Sequence, residues 1–172
     1  VASKAISDAV RKSRALSGTV IVMDPKTGHI LAHATAPTFN PNNTKDISLN
    51  LMRNYSVQEV YEPGSTGKVM TLAAALEEKK VTPTTVFTVP YSIKRSDETF
   101  HEHERAPTKR LTTAGILAVS SNTGSIQIGE KLSNDQLHGY LSKFGIGQKT
   151  GSGLPGESAG VLRPVKDWSG TS

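Results

Sequence analysis

The spacing of apolar residues at the start of the chain predicts a helix followed by a hairpin. Apolar side chains spaced for one helical face predict a short helix over residues 4–16: Ala5, Ile6, Ala9, Val10 and Leu16. Residues 19–23 form an apolar run typical of a buried strand, and residues 29–34 are predicted to form the strand that returns beside it. Residues 24–28 between them contain proline and glycine, which favour a tight turn. The pattern therefore predicts a β-hairpin.

The middle of the chain alternates between loops and one apolar helix. Residues 36–64 are rich in proline and asparagine and predict loops. Residues 65–80 predict a helix, and its stretch 69–76 is so apolar that we expect a central, buried position. Residues 81–110 are polar and interrupted by prolines, which predicts irregular structure or short strands.

The last third predicts a helical block and then a loop. We expect helices over residues 111–119, 123–132 and 133–144, the third opened by a capping box of Ser133 and Gln136. The glycine-rich segment 145–160 predicts a loop. Helices with one hairpin indicate an α/β (α+β) fold. Because a two-stranded sheet is marginally stable alone, we expect further strands beyond residue 172.

Composition narrows the possible chemistry. The 172 residues include no cysteine, which excludes disulfides, thiolate metal sites and cysteine nucleophiles. No apolar run is long enough to span a bilayer. The net charge is +5, but no basic run is interleaved with aromatic residues, so we expect no nucleic-acid partner.

Ser65 and Lys68 are the first candidate catalytic residues. Placed three residues apart on a helix, they share one face, and that face continues as an apolar stripe. Burial there would lower the lysine pKa towards that of a usable general base. Free N–H groups at the helix start would favour an oxyanion near Ser65. The alternative is chance, since roughly one such motif is expected in a chain of this size at ordinary residue frequencies.

Ser120 and Asn122 are the second pair of candidates. A tight turn between two apolar helices can present a hydroxyl and an amide to a cleft. Ser120 would relay a proton, and Asn122 would bind a substrate amide or orient Lys68. The alternative is ordinary helix capping, which also favours serine and asparagine.

Three other motifs are rejected. A Lys-Thr-Gly triplet on a strand could supply a cation, a hydroxyl and an oxyanion donor. The chain has this triplet at residues 26–28 and at residues 149–151. The first lies in the predicted hairpin turn and the second in the glycine loop, so neither is predicted to form a strand. Residues 101–104 read His-Glu-His-Glu, but their polar surroundings predict a solvated loop and not a metal site. We therefore expect neither metal nor cofactor.

Ser-x-x-Lys, Ser-x-Asn and Lys-Thr-Gly together are the motif set of penicillin-binding proteins and class A β-lactamases. The chain resembles class B penicillin-binding proteins over its whole length, most of all division-type transpeptidases of Gram-positive, high-GC bacteria. Four segments account for the resemblance: residues 24–32, 61–68, 118–124 and 144–160.

The resemblance implies a penicillin-binding protein/β-lactamase-like serine transpeptidase fold, here a hairpin plus the helical subdomain. It implies a D,D-transpeptidase in which Ser65 attacks stem peptides ending in D-Ala-D-Ala and releases the terminal D-Ala. Lys68 would take the Ser65 proton, Ser120 would shuttle protons, and Asn122 would bind the substrate amide. β-Lactam antibiotics would acylate Ser65.

The family's true Lys-Thr-Gly strand comes later than residue 149. The resemblance therefore implies that residues 1–172 are the N-terminal portion of a transpeptidase domain, with the third motif and remaining sheet beyond residue 172. Expected partners are the remainder of that domain and division proteins. The expected location is the extracytoplasmic membrane face, anchored by an N-terminal segment outside this chain. The isolated chain would be inactive.

Three alternatives remain open from the sequence. A serine β-lactamase would share the Ser-x-x-Lys motif, and a β-lactam sensor domain would share both motifs. The chain could instead be a non-catalytic, partner-binding fragment of the division machinery.

Overall fold

A computed structural model describes residues 1–43, 45 and 48–169 of the chain. Residues 44, 46 and 47 of the predicted loop 36–64 lie outside the described residues. The chain divides into two compact units. The first comprises residues 1–60 and 151–158, and the second comprises residues 61–150 and 159–172.

The first unit contains the predicted helix and hairpin. Helix α1 is Ala2–Ser13, and strands β1 (Gly18–Met23) and β2 (Ile30–Ala36) pair antiparallel. The helix ends earlier than expected because Arg14 adopts a left-handed conformation with φ 54°. A Cβ atom on Gly18 would come within 2.8 Å of the Ile6 side chain, so glycine allows α1 to pack closely on the strand.

The prediction that the first strand is buried is wrong. Ile21 is 45% exposed and Val22 is 46% exposed. Leu31 on β2 is 68% exposed. In the described part of the chain β2 is the only strand paired with β1, and α1 covers only part of the pair, so these apolar side chains stay in contact with solvent.

The remainder of the first unit consists mostly of loop. A 3₁₀ helix forms over Leu49–Met52 and a single-turn helix α2 over Tyr55–Gln58. The predicted loop around residues 151–158 has no helix or strand, and Ser158 N donates to Val57 O at 2.7 Å. Gly156 has φ +75°, and a Cβ there would lie 2.6 Å from the Gln58 amide. Glycine at that position therefore lets the loop lie against α2.

Within its described residues, the second unit contains four α-helices and four short strands. A 3₁₀ helix over Gly64–Gly67 leads into the first helix, and a second 3₁₀ helix spans Val165–Asp167. The helices are α3 (Lys68–Glu77), α4 (Thr113–Ala118), α5 (Asn122–Gly129) and α6 (Asn134–Lys143). The strands are β3 (Val86–Val89), β4 (Ser92–Arg95), β5 (Glu98–His101) and β6 (Lys109–Thr112).

The core of this unit forms where α3 packs against the other helices. Leu72, Ala74 and Ala75 of α3 are buried with Ile116 of α4 and Ile128 of α5. The expectation of a helix buried on every side is only partly correct, because Val69 is 52% exposed and Leu76 is 37% exposed.

The strands of the second unit form two separate antiparallel pairs, β3 with β6 and β4 with β5. The predicted short strands over residues 81–110 are therefore confirmed. The predicted helix 111–119 begins two residues late, because Leu111 and Thr112 pair with β3 before α4 starts. The α/β fold class is confirmed by the mixture of helices and antiparallel strands.

The predicted third helix of the block is confirmed as α6. The Ser133 side chain accepts from Gln136 N, and the Gln136 side chain accepts from Ser133 N, which completes the capping box. Gly145 follows the helix with φ +90°. Among the described residues, no helix has both the length and the apolar character needed to cross a membrane.

Candidate active site

Lys68 is the first residue of α3, and Ser65 lies in the 3₁₀ turn that precedes it. Ser65 is exposed, whereas Lys68 is half-buried. The predicted continuous helix from residue 65 is thus a 3₁₀ turn followed by an α-helix. In the described part of the chain, no hydrogen bond joins Ser65 to Lys68.

The turn between α4 and α5 presents its polar groups to Lys68. Ser120 has φ +53°, a left-handed conformation that costs a non-glycine residue of order 1 kcal/mol. Ser121 is the N-cap of α5, and its hydroxyl accepts from Gly124 N at 2.9 Å. The capping interpretation therefore holds for Ser121, while its neighbours on either side face the lysine.

Lys68 Nζ meets three acceptors from this turn. It lies 2.6 Å from Ser120 O, 3.2 Å from Ser120 Oγ and 2.6 Å from Asn122 Oδ1. An ammonium group has three N–H donors, so these acceptors satisfy its charged form. The Ser120 hydroxyl is the one partner that can also donate, so a neutral amine keeps all three contacts by accepting a hydrogen bond from that hydroxyl.

The electrostatic surroundings favour a lysine that can lose its proton. Burial lowers the pKa of Lys68, and the negative charge of Glu102 partly opposes that effect. The direction agrees with the reasoning from the apolar stripe.

Glu102 is the residue of this site that the sequence reasoning missed. The predicted solvated loop over residues 101–104 is wrong at its start, because His101 ends β5 and Glu102 is half-buried. The Glu102 carboxylate accepts hydrogen bonds from Ser121, Asn122 and Thr123. No local signal could have found these contacts, since the partners lie 19 to 21 positions away.

A cavity of about 560 Å³ opens beside Lys68 and Asn122. Phe100 and Leu137 contribute apolar surface, and Ser125 contributes a hydroxyl. At another part of its lining, Arg95 and Glu130 form a two-point ion pair. Of the candidate residues, Lys68 and Asn122 thus border a space large enough for a small peptide, whereas Ser65 and Ser120 are not part of its lining.

Neither Lys-Thr-Gly triplet forms a strand, as the sequence predicts. Residues 26–28 lie in the turn of the first hairpin, where Gly28 has φ +74° and its N–H donates to Asp24 O at 2.8 Å. Residues 149–151 have no regular structure.

The fold and site together define a class of protein. A half-buried lysine at the start of a helix follows a serine by one turn and is held by a Ser-x-Asn turn. A family profile described as the penicillin binding protein transpeptidase domain matches residues 18–172. The chain belongs to this family, and the resemblance to class B, division-type members is confirmed.

Two relatives illustrate the similarity. The chain is 35% identical over 174 residues to penicillin-binding protein PbpB of Mycobacterium tuberculosis, covering 97% of this chain and 25% of the relative. It is 36% identical over 166 residues to peptidoglycan D,D-transpeptidase FtsI of Escherichia coli, covering 95% of this chain and 27% of the relative. The chain therefore spans about a quarter of the length of these curated relatives.

Solved structures confirm the fold. Penicillin binding protein 3 of Mycobacterium tuberculosis, complexed with ampicillin, has a TM-score of 0.91 at 34% identity, covering 99% of this chain and 38% of that one. A peptidoglycan synthetase from Bifidobacterium adolescentis has a TM-score of 0.86 at 36% identity, covering 98% of this chain and 30% of that one.

Proposed function

We propose that this chain is part of a peptidoglycan D,D-transpeptidase that cross-links stem peptides through an acyl-enzyme on Ser65. The observation that supports this most strongly is the placement of Lys68 Nζ between Ser120 and Asn122, one turn after Ser65. Relatives over nearly the whole chain are named D,D-transpeptidases. One structural relative is a complex with ampicillin.

The first half of the reaction forms an ester and releases an amine. Neutral Lys68 takes the proton of Ser65 Oγ while that oxygen attacks the carbonyl carbon of the penultimate D-Ala. The peptide bond to the terminal D-Ala then breaks. Its nitrogen receives a proton relayed from Lys68 through the Ser120 hydroxyl, which lies 3.2 Å from Nζ.

The second half transfers the acyl group. The amine of a neighbouring stem peptide attacks the Ser65 ester, loses its proton to Lys68, and forms the cross-linking amide. Ser65 Oγ leaves and regains its proton from Lys68. A β-lactam follows only the first half, because its ring amide opens and its nitrogen stays attached to the acyl-enzyme.

Asn122 serves this scheme first by orienting Lys68. Its Oδ1 accepts from Nζ, and its Nδ2 donates to His101 O at 2.9 Å. Both ends of the amide are thus engaged within the chain. Of the two roles expected for Asn122, this geometry favours orientation of the lysine, and binding of a substrate amide would be an additional role.

The third motif, in this proposal, lies outside residues 1–172, because neither internal triplet forms a strand. The chain then acts as the N-terminal portion of a transpeptidase domain, with the rest of that domain and division proteins as partners. A membrane-anchored, extracytoplasmic location belongs to the same proposal. The isolated chain, without an oxyanion donor from the third motif, would be inactive.

Covalent labelling tests the proposal. The whole protein that contains this sequence is incubated with fluorescent penicillin, alongside Ser65→Ala and the control Ser92→Ala, an exposed serine on β4. We expect labelling of the wild type and the control and none of Ser65→Ala. Labelled Ser65→Ala would contradict the assignment. Fast hydrolysis of a chromogenic cephalosporin would instead indicate a β-lactamase.

A further inference from the structure

Glu102 occupies a fixed position at the base of the β4–β5 hairpin. It directly follows β5, and its backbone N–H donates to Tyr91 O at 2.8 Å. Tyr91 directly precedes β4, so this bond joins the two ends of the hairpin. This hydrogen bond therefore fixes the backbone position of Glu102.

The Glu102 carboxylate is bound by the first residues of α5. Oε1 accepts from Ser121 Oγ at 2.6 Å and from Thr123 N at 2.9 Å, and Thr123 Oγ1 lies 2.8 Å away. Oε2 accepts from Asn122 N at 3.2 Å. The first N–H groups of a helix have no partner within the helix, and a carboxylate is favoured beside them. Glu102 therefore fixes the start of α5.

His101 and Glu102, which are adjacent in the chain, both bind Asn122. His101 O accepts from Asn122 Nδ2 at 2.9 Å, while Glu102 accepts from the Asn122 backbone. With its Nδ2 engaged by a carbonyl, the amide points Oδ1 at Lys68, 2.6 Å from Nζ. His101 thus binds the Asn122 side-chain amide, while Glu102 binds the Asn122 backbone N–H.

We propose that Glu102 is a positioning residue of the reaction, holding the Ser120–Asn122 turn against Lys68 through the start of α5. The catalytic part of this inference rests on the proposed function. Glu102 also acts through its charge, because it raises the pKa of Lys68 against the lowering effect of burial. Burial raises the pKa of Glu102, but the hydrogen bonds from Ser121, Thr123 and Asn122 lower it by more than burial raises it. The net pKa therefore lies below its ordinary value, and Glu102 is charged at neutral pH.

Other titratable groups border the two side chains. Those lining the cavity at Glu102 are Tyr91, His103, Glu104 and Lys109. Those lining the cavity at Lys68 are Arg95, His101 and Glu130. The negative charge of Glu102 raises the pKa of Lys68.

The test compares Glu102→Gln and Glu102→Asp with the control Glu104→Gln in the whole protein. Glu104 lies two positions away and is exposed. We measure the rate of acylation by fluorescent penicillin against pH, and the Lys68 ammonium titration by NMR of isotopically labelled lysine. Thermal unfolding shows which variants fold.

We expect Glu102→Gln to acylate roughly 10- to 100-fold more slowly, because small misplacements of reacting groups have effects of that size. The acid limb of its pH–rate profile, where acylation slows as Lys68 becomes protonated, should move to lower pH. The reason is that loss of the negative charge lowers the Lys68 pKa. Glu102→Asp keeps the charge, so its acid limb should stay near that of the wild type while its shorter side chain still slows the reaction. Glu104→Gln should behave like the wild type.

A Glu102→Gln protein that reacts and titrates like the wild type would overturn the inference. So would a slower protein with an unmoved acid limb and Lys68 titration, because that pattern describes a residue that only stabilises the fold. If Glu102→Gln fails to fold, Glu102→Asp decides, and an acylation rate equal to that of the wild type would contradict the inference. If the wild type itself takes no label, the proposed function fails, and the Lys68 titration alone decides the role of Glu102.

Discussion

Lys68 Nζ lies 2.6 Å from Asn122 Oδ1, although 54 positions separate the two residues. The contact joins the first residues of two helices, α3 and α5. These helices approach closely further along, where a Cβ on Gly129 would lie 3.3 Å from Thr71 Cγ2. The helical core therefore sets the distance between the lysine and the amide.

Replacing Lys68 with arginine should separate charge from basicity. An arginine side chain stays protonated and can still donate to Ser120 O and Asn122 Oδ1, but it cannot accept the Ser65 proton. We expect acylation by fluorescent penicillin to fall about 10²- to 10⁴-fold, the usual contribution of a general base. The matched control is Lys94→Arg on the exposed side of β4, which should react like the wild type. Unchanged acylation of Lys68→Arg would rule out lysine as the base.

Asn122→Asp should move the pH dependence in the direction opposite to Glu102→Gln. A carboxylate at this position favours the ammonium form and raises the Lys68 pKa. The acid limb of acylation should therefore move to higher pH, which a pH series of labelling rates measures. Asn134→Asp places the same charge on an exposed residue of the same cavity lining and should leave the limb in place. Equal shifts in both variants would contradict direct contact between Asn122 and Lys68.

The sequence predicted the elements of the site better than their surroundings. Ser65 and Lys68 could be recognised because three-residue spacing on a helix is a local property. Glu102 could not, because its contacts with the start of α5 depend on β4 and β5 pairing and then lying beside that helix, which no local pattern encodes. The burial expected for β1 failed for a similar reason, since an apolar run predicts a strand but does not determine what covers it.

Gly124 and Gly139 offer a matched test of packing in the second unit. A Cβ on Gly124 would lie 2.8 Å from Ile116 Cγ1 and from Ser121 Oγ, whereas a Cβ on Gly139 would meet nothing within 4 Å. We expect Gly124→Ala to reduce the free energy of unfolding by about 1–3 kcal/mol through overpacking. Gly139→Ala should raise it by about 0.5–1 kcal/mol, since alanine favours a helix interior. Chemical denaturation measures both, and equal effects would contradict the packing described.

The stability lost in Glu102→Gln should itself depend on pH. The folded protein lowers the pKa of Glu102 below its ordinary value of 4.5, so the charged carboxylate stabilises the fold. That stabilisation is fully present above the ordinary value and disappears as the pH falls through the lowered pKa. Denaturation of wild type and variant should show a difference in the free energy of unfolding at neutral pH, and this gap should close on acidification. A constant gap would show that the lost interaction does not depend on the charge.

The central claim is that Ser65 is the acylated nucleophile, and peptide mapping after benzylpenicillin treatment tests it most directly. The whole protein is treated, digested and examined by mass spectrometry, with intact mass giving the number of adducts. We predict one penicilloyl adduct per chain, located on the peptide that contains Ser65 and absent from Ser65→Ala. An adduct on another serine, or none on a folded wild type, would contradict the account.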